Sequence, residues 1–178
     1  MRAFLAIPLP EALRRRLADE AKKVPGLSAQ RAGTIHLTIR FLGEIDDDGP
    51  VADALGPVAA AFPPFDLELS GLGVFPDPRR ARVYWAGVGR GADEAQALAA
   101  AVEGAIRPLG FSPEARPFRA HVTLGRFRNP RPVPAPLLDS HVALGAARAD
   151  RLVLYRSTLL PEGALHEPLR ELSLLGGM

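Results

Sequence analysis

Cysteine is absent from the 178 residues, and with it go disulfide scaffolds, thiolate-bound zinc, iron–sulfur clusters and cysteine nucleophiles. No stretch approaches the roughly 20 consecutive apolar residues of a membrane-spanning helix, so no membrane partner is expected. The opening MRAFLAIPLP carries one arginine, and Pro8 and Pro10 break its apolar run too early for a secretory core. A cytoplasmic location is therefore expected. A charge excess is missing too, since 22 Lys+Arg against 20 Asp+Glu leaves a formal +2, which by itself licenses no nucleic-acid partner. Lysine and side-chain amides are scarce: two Lys, one Asn and two Gln, beside 18 Pro, a composition that suggests a thermophile. The other twenty basic residues are Arg. Their planar fork matches phosphate oxygens, although a GC-rich genome yields the same bias.

What is present organises into alternating strands and helices. Strands are expected at Arg2 to Leu9, Thr34 to Gly43, Phe65 to Leu72, Ala81 to Val88 and Ala120 to Phe127, with further β-rich segments at His141 to Ala146, Arg151 to Leu159 and Leu169 to Leu175. The middle segment is expected to pair with a neighbour across the Ala149-Asp150 turn. Amphipathic or Ala-rich helices fall at Glu11 to Val24, Pro50 to Ala61 and Ala92 to Ile106, bounded by proline and glycine. Gly73 to Arg80 and Asn129 to Pro136 read as loops. Strand, helix and polar-faced strand occur twice, at Arg2 to Gly43 and Arg82 to Phe127, which implies two similar lobes facing each other within one domain, residues 1–178.

Two of the four histidines share a tetrapeptide frame, His36-Leu37-Thr38-Ile39 and His121-Val122-Thr123-Leu124. With only four Thr in the chain, that is a roughly three-in-a-thousand coincidence. Residues two apart on a strand share a face about 6.5 to 7 Å apart, so each frame offers an imidazole and a hydroxyl together. One imidazole can take a proton while another gives one, and Thr hydroxyls can donate to a charged oxygen. In-line displacement at phosphorus needs that arrangement, with base and acid on opposite sides. No metal and no cofactor is expected: no His pair stands at i, i+4, no His-Glu-x-x-His occurs, and no carboxylate shares the polar face of either motif strand.

The chain resembles the 2H phosphoesterases, and among them the bacterial RNA 2′,3′-cyclic phosphodiesterases first described as 2′-5′ RNA ligases. The resemblance runs from RAFLAIPLP through HLTIRFLGE, VFPDPRRARVYWAGV and FRAHVTLGRF to STLLPEGALHEPL. It implies an α+β, bilobal fold, with two pseudo-symmetric lobes of antiparallel sheet, helices outside and a central cleft. It implies hydrolysis of an RNA-terminal 2′,3′-cyclic phosphate to a 2′-phosphomonoester, with His36 as proton donor, His121 as proton acceptor, and Thr38 and Thr123 beside them. The substrate would be an RNA or nucleotide with that terminus, bound by a monomer without a protein partner. The reverse 2′-5′ ligation, or a non-catalytic RNA-end binding module, are the alternatives. The family also places an Arg after the second motif on the phosphate, here Arg126. Strand parity puts Arg126 on the face opposite His121 and Thr123 unless Gly125 marks a bulge, whereas Arg40 has the parity of His36 and Thr38. Both are candidate substrate-binding residues. His141 and His166 lack the motif and read as surface or structural histidines, His166 standing where the family often has Tyr. Phe4 and Leu5 lie in a strand where the family uses an aromatic near the nucleotide base, although Phe4 itself reads as core, and the arginines of DPRRAR read as an RNA guide or a solvated hairpin tip.

Overall fold

A computed structural model of the chain describes residues 1–177; residue 178 of the expected domain lies outside them. The N-terminal strand β1 (Arg2–Pro8) leads through Pro10, the cap residue, into helix α1 (Glu11–Lys22), with Glu11 in the first turn and Lys22 in the last, as the helix dipole favours. A short β2 (Leu27–Ala29) precedes β3 (His36–Glu44). Helix α2 (Gly49–Ala61), β4 (Phe65–Phe75), β5 (Ala81–Val88), α3 (Ala92–Ile106) and β6 (His121–Arg131) follow. The chain closes with β7 (Ala143–Ala149), β8 (Arg151–Leu160) and β9 (Gly163–Ser173).

These strands form two antiparallel sheets, ordered β3-β1-β8-β9 and β2-β6-β5-β4-β7. The expected α+β, two-lobed architecture is observed, with β1-α1-β3 and β5-α3-β6 as corresponding units. Strand β2, three residues with no readable period, adds to the expected elements, and three local expectations are corrected. Strand β4 continues through Gly73 to Phe75, where a loop was expected, because Gly73 makes room for the Trp85 ring on the adjacent strand. Strand β6 runs on to Arg131. Strand β8 does not pair with β7 across Ala149-Asp150; β7 pairs with β4 in one sheet while β8 pairs with β1 and β9 in the other. That turn is where the chain crosses between lobes.

The helices cross as well. Helix α1 follows β1 of the first sheet yet packs on β2, β6 and β7 of the second, its Leu13 seated over Gly145. Helices α2 and α3 cover the first sheet, through β8 and β9 and through β3 respectively. Each sheet thus has one face under helices, where Leu5, Ile7, Leu37, Leu124, Leu152 and Leu154 are fully buried. Burial of that kind contributes about 1.5 to 3 kcal/mol per side chain. Strands β3 and β6 touch each other across the join of the two sheets, so the helix-free faces run on from one to the other.

Candidate active site

Strands β3 and β6 repeat one burial pattern residue for residue over nine positions: His36 and Thr38, like His121 and Thr123, are part-exposed, while Leu37, Ile39, Val122 and Leu124 point into the core. Both His-x-Thr pairs therefore lie on helix-free faces, on strands that meet. Each strand then carries a bulge at the same place. Pairing with β1 slips between Ala6↔Thr38 and Leu5↔Arg40, and pairing with β5 slips between Trp85↔Thr123 and Tyr84↔Gly125. An extra residue reverses the parity of everything after it.

The bulges decide the two arginines. Arg40 is turned into the helix-covered side, 9% exposed, where its guanidinium pairs with Glu103 of α3 and Glu114 and donates to the carbonyls of Phe41 and Ser112. The expectation that Arg40 shares a face with His36 and Thr38 is thus corrected: the bulge gives that place to Phe41, 54% exposed. In the second sheet the bulge does the opposite. Gly125 takes the buried position, because a Cβ there would stand 2.7 Å from the Ser28 carbonyl of β2, and Arg126 is swung onto the face of His121 and Thr123. Its positive charge depresses the proton affinity of His121, and among the described residues it has no carboxylate partner.

Each imidazole has a distinct setting. His121 Nδ1 donates to the Arg119 carbonyl at 2.7 Å, which leaves Nε2 as the free lone pair. Burial first, then the charges of Arg119 and Arg126, hold its pKa below the ordinary value against that hydrogen bond. Its ring meets Phe75 edge-on at 5.1 Å, and Phe75 packs in turn on Trp85 and under the Arg119 guanidinium. His36 stacks on Phe4 at 4.7 Å. Burial, with a smaller contribution from His166, pushes its pKa down to about 3, opposed by a hydrogen bond to the Thr34 backbone. Both histidines are thus neutral at pH 7 in the ligand-free protein.

Three rings join the site beside the residues expected to carry the chemistry. Phe4 is core by burial, 3% exposed, yet its ring is the platform for His36, Tyr155 and His166. His166, expected on the surface or in a structural role, stands 5.2 Å from His36. Pairing of four strands within one sheet, β3-β1-β8-β9, brings these together, an arrangement that no local pattern carries. His141 is exposed, its amide bound to Asp139. The DPRRAR turn is organised by Asp77, which accepts from the Arg79 and Arg80 amides, with the arginine side chains in solvent. Among the described residues no three His, Asp or Glu side chains converge to hold a metal, and no helix is long and apolar enough to cross a membrane.

Residues 8–158 match the family described as the 2′-5′ RNA ligase superfamily. The chain belongs to this family. Among its members, a protein of Aeropyrum pernix named RNA 2′,3′-cyclic phosphodiesterase is 40% identical over 142 residues, 76% of this chain and 80% of its own. One of the same name from Archaeoglobus fulgidus is 30% identical over 177 residues, covering 96% of this chain and 98% of its own. A Thermus thermophilus protein of solved crystal structure superposes with a TM-score of 0.83 at 31% identity, with 99% of each chain covered. E. coli LigT, crystallised with 3′-AMP, gives 0.80 at 25% identity over 97% of each chain. The 2′-5′ RNA ligase family thus accounts for nearly the whole chain, both sheets included.

Proposed function

We propose that this protein hydrolyses RNA-terminal 2′,3′-cyclic phosphates to 2′-phosphomonoesters, by two-histidine acid–base catalysis and without a metal. The observation that supports this reading is the repeated strand, with His36 and Thr38 part-exposed on β3, His121 and Thr123 part-exposed on β6, and the two strands in contact. The names of the relatives supply the substrate class. In the mechanism, His121 Nε2 takes a proton from water as the water oxygen bonds to phosphorus. The bond from phosphorus to the 3′ oxygen breaks on the opposite side, and His36 gives that oxygen a proton. Thr38, Thr123 and Arg126 face the non-bridging oxygens as donors. Because both pairs come from one chain, a monomer suffices, acting on RNA ends in the cytoplasm.

His36 must be protonated to serve as the acid, and in the empty site it is neutral. An anionic phosphate bound beside it favours the charged form, so substrate itself arms the donor. The test is incubation with nucleoside 2′,3′-cyclic phosphates and cyclic-phosphate-ended RNA in excess EDTA, the product phosphate located by NMR. Undiminished turnover to 2′-phosphate is the expected result; activity lost in EDTA and restored by a divalent ion would refute it. His36→Ala and His121→Ala should each cost about 10²- to 10⁴-fold in kcat/KM. The double variant should fall far short of the product of the two, since an acid without its base is largely idle. Thr38→Ala and Thr123→Ala should cost roughly 10- to 100-fold, the value of a hydrogen bond to a charged oxygen.

A further inference from the structure

Strand β9 carries a third histidine onto the site. His166 lies opposite Ser157 of β8, and its ring meets Phe4 of β1 at 4.8 Å, His36 of β3 at 5.2 Å and Tyr155 of β8 at 6.5 Å. Arg31, tied to the Ala164 carbonyl, is the cation facing it. Its Nδ1 is buried with no hydrogen-bond partner. A buried donor without an acceptor is the rarer and costlier of the two unpaired states, so the proton sits on the other nitrogen. Burial, together with Arg31, holds the ring's pKa below the ordinary value, so at neutral pH it is uncharged. The tautomer is then the reverse of that of His121, whose Nδ1–H is committed to a carbonyl. One imidazole keeps a lone pair on Nε2; the other carries its proton there.

Resting on the activity proposed above, we infer that His166 donates its Nε2–H to a ribose or phosphate oxygen on the leaving-group side of the substrate, beside His36. Its role is donation of a hydrogen bond without transfer of a proton, so an amide with its N–H at the same place serves equally well. Glutamine carries its nitrogen where Nε2 stands, whereas asparagine carries it where Nδ1 stands, and phenylalanine keeps the packing without a donor.

His166→Phe is expected to lower kcat/KM for cyclic phosphate roughly 10- to 100-fold, His166→Gln to recover most of that with both limbs of the pH profile in place, and His166→Asn to recover none. On the parent protein, ¹⁵N–¹H correlation of the imidazoles should show the Nε2–H tautomer at residue 166, with that resonance moving when a nucleoside 2′-monophosphate is added. Parent-like kcat/KM in His166→Phe, equal rescue by Asn and Gln, or an Nδ1–H tautomer would each overturn the inference. If the parent itself fails to hydrolyse cyclic phosphate, the proposed activity falls, and the titration alone decides: a resonance unmoved by nucleotide overturns the role of His166, and a moved one upholds it. The same titration decides if His166→Phe does not fold.

Discussion

Arg40 and Arg126 follow the two motifs closely, and the register shifts of β3 and β6 give each the face opposite to the one that strand parity assigns it. Arg40 is a structural cation enclosed by Glu103, Glu114 and two carbonyls, whereas Arg126, exposed on the face of His121 and Thr123, has no carboxylate partner among the described residues. Arg126→Ala is expected to lower kcat/KM roughly 10- to 100-fold with stability unchanged within about 0.5 kcal/mol. Lysine there should recover only part, because the bidentate fork is lost. Glu103→Ala leaves the buried guanidinium without its main partner, and should cost about 3 kcal/mol of stability while turnover of the folded enzyme stays near the parent value. Urea unfolding and initial-rate kinetics on the pair separate the two roles; a Glu103→Ala protein of parent stability would contradict the assignment of Arg40 to the core.

At the scale of elements, the bulge in β6 is what turns Arg126 onto the face of His121 and Thr123, and Gly125 is its weakest point. A methyl group at 125 meets Leu27 and the Ser28 carbonyl at 2.7 Å, so β2 must move or the bulge must open. Gly125→Ala should therefore destabilise by about 1 to 3 kcal/mol and lower kcat/KM by no more than Arg126→Ala does, since its effect passes through the aim of that arginine. The matched measurement is the double variant: with Arg126 already alanine, adding Gly125→Ala should cost little further activity. A full additive loss would show that Gly125 acts through something else.

For the molecule as a whole, the buried neutral His36 couples folding to pH. The unfolded chain binds a proton at this residue near pH 6.5 and the folded one only near 3, so between those values the unfolded state holds more protons and stability rises with pH. The contribution is fully present above about 6.5 and is lost as pH falls toward 3, on the order of 4 kcal/mol at the low end. His36→Phe, which keeps a ring on Phe4, should be less acid-sensitive than the parent, with the gap between their unfolding curves widening from pH 7 to pH 4. Catalysis should carry the same signature. The alkaline limb of kcat is expected at higher pH than that of kcat/KM, because the bound phosphate raises the pKa of the proton donor while the free enzyme keeps it low.

The sequence by itself determined the pairing of the two His-x-Thr frames, the repeat of strand, helix and strand, and the family, because each is local: alternation with period two, proline and glycine punctuation, and identity at fixed offsets. It could not determine which side of a strand Arg40 and Arg126 occupy. Parity counted along one chain is reversed by a bulge, and a bulge exists only in the register between two strands, here β3 with β1 and β6 with β5. Nor could it assign α1 to the opposite sheet, or bring Phe4, Tyr155 and His166 to His36 from three separate strands. Those placements follow from which apolar faces bury each other, a competition among distant segments that only the folded chain resolves.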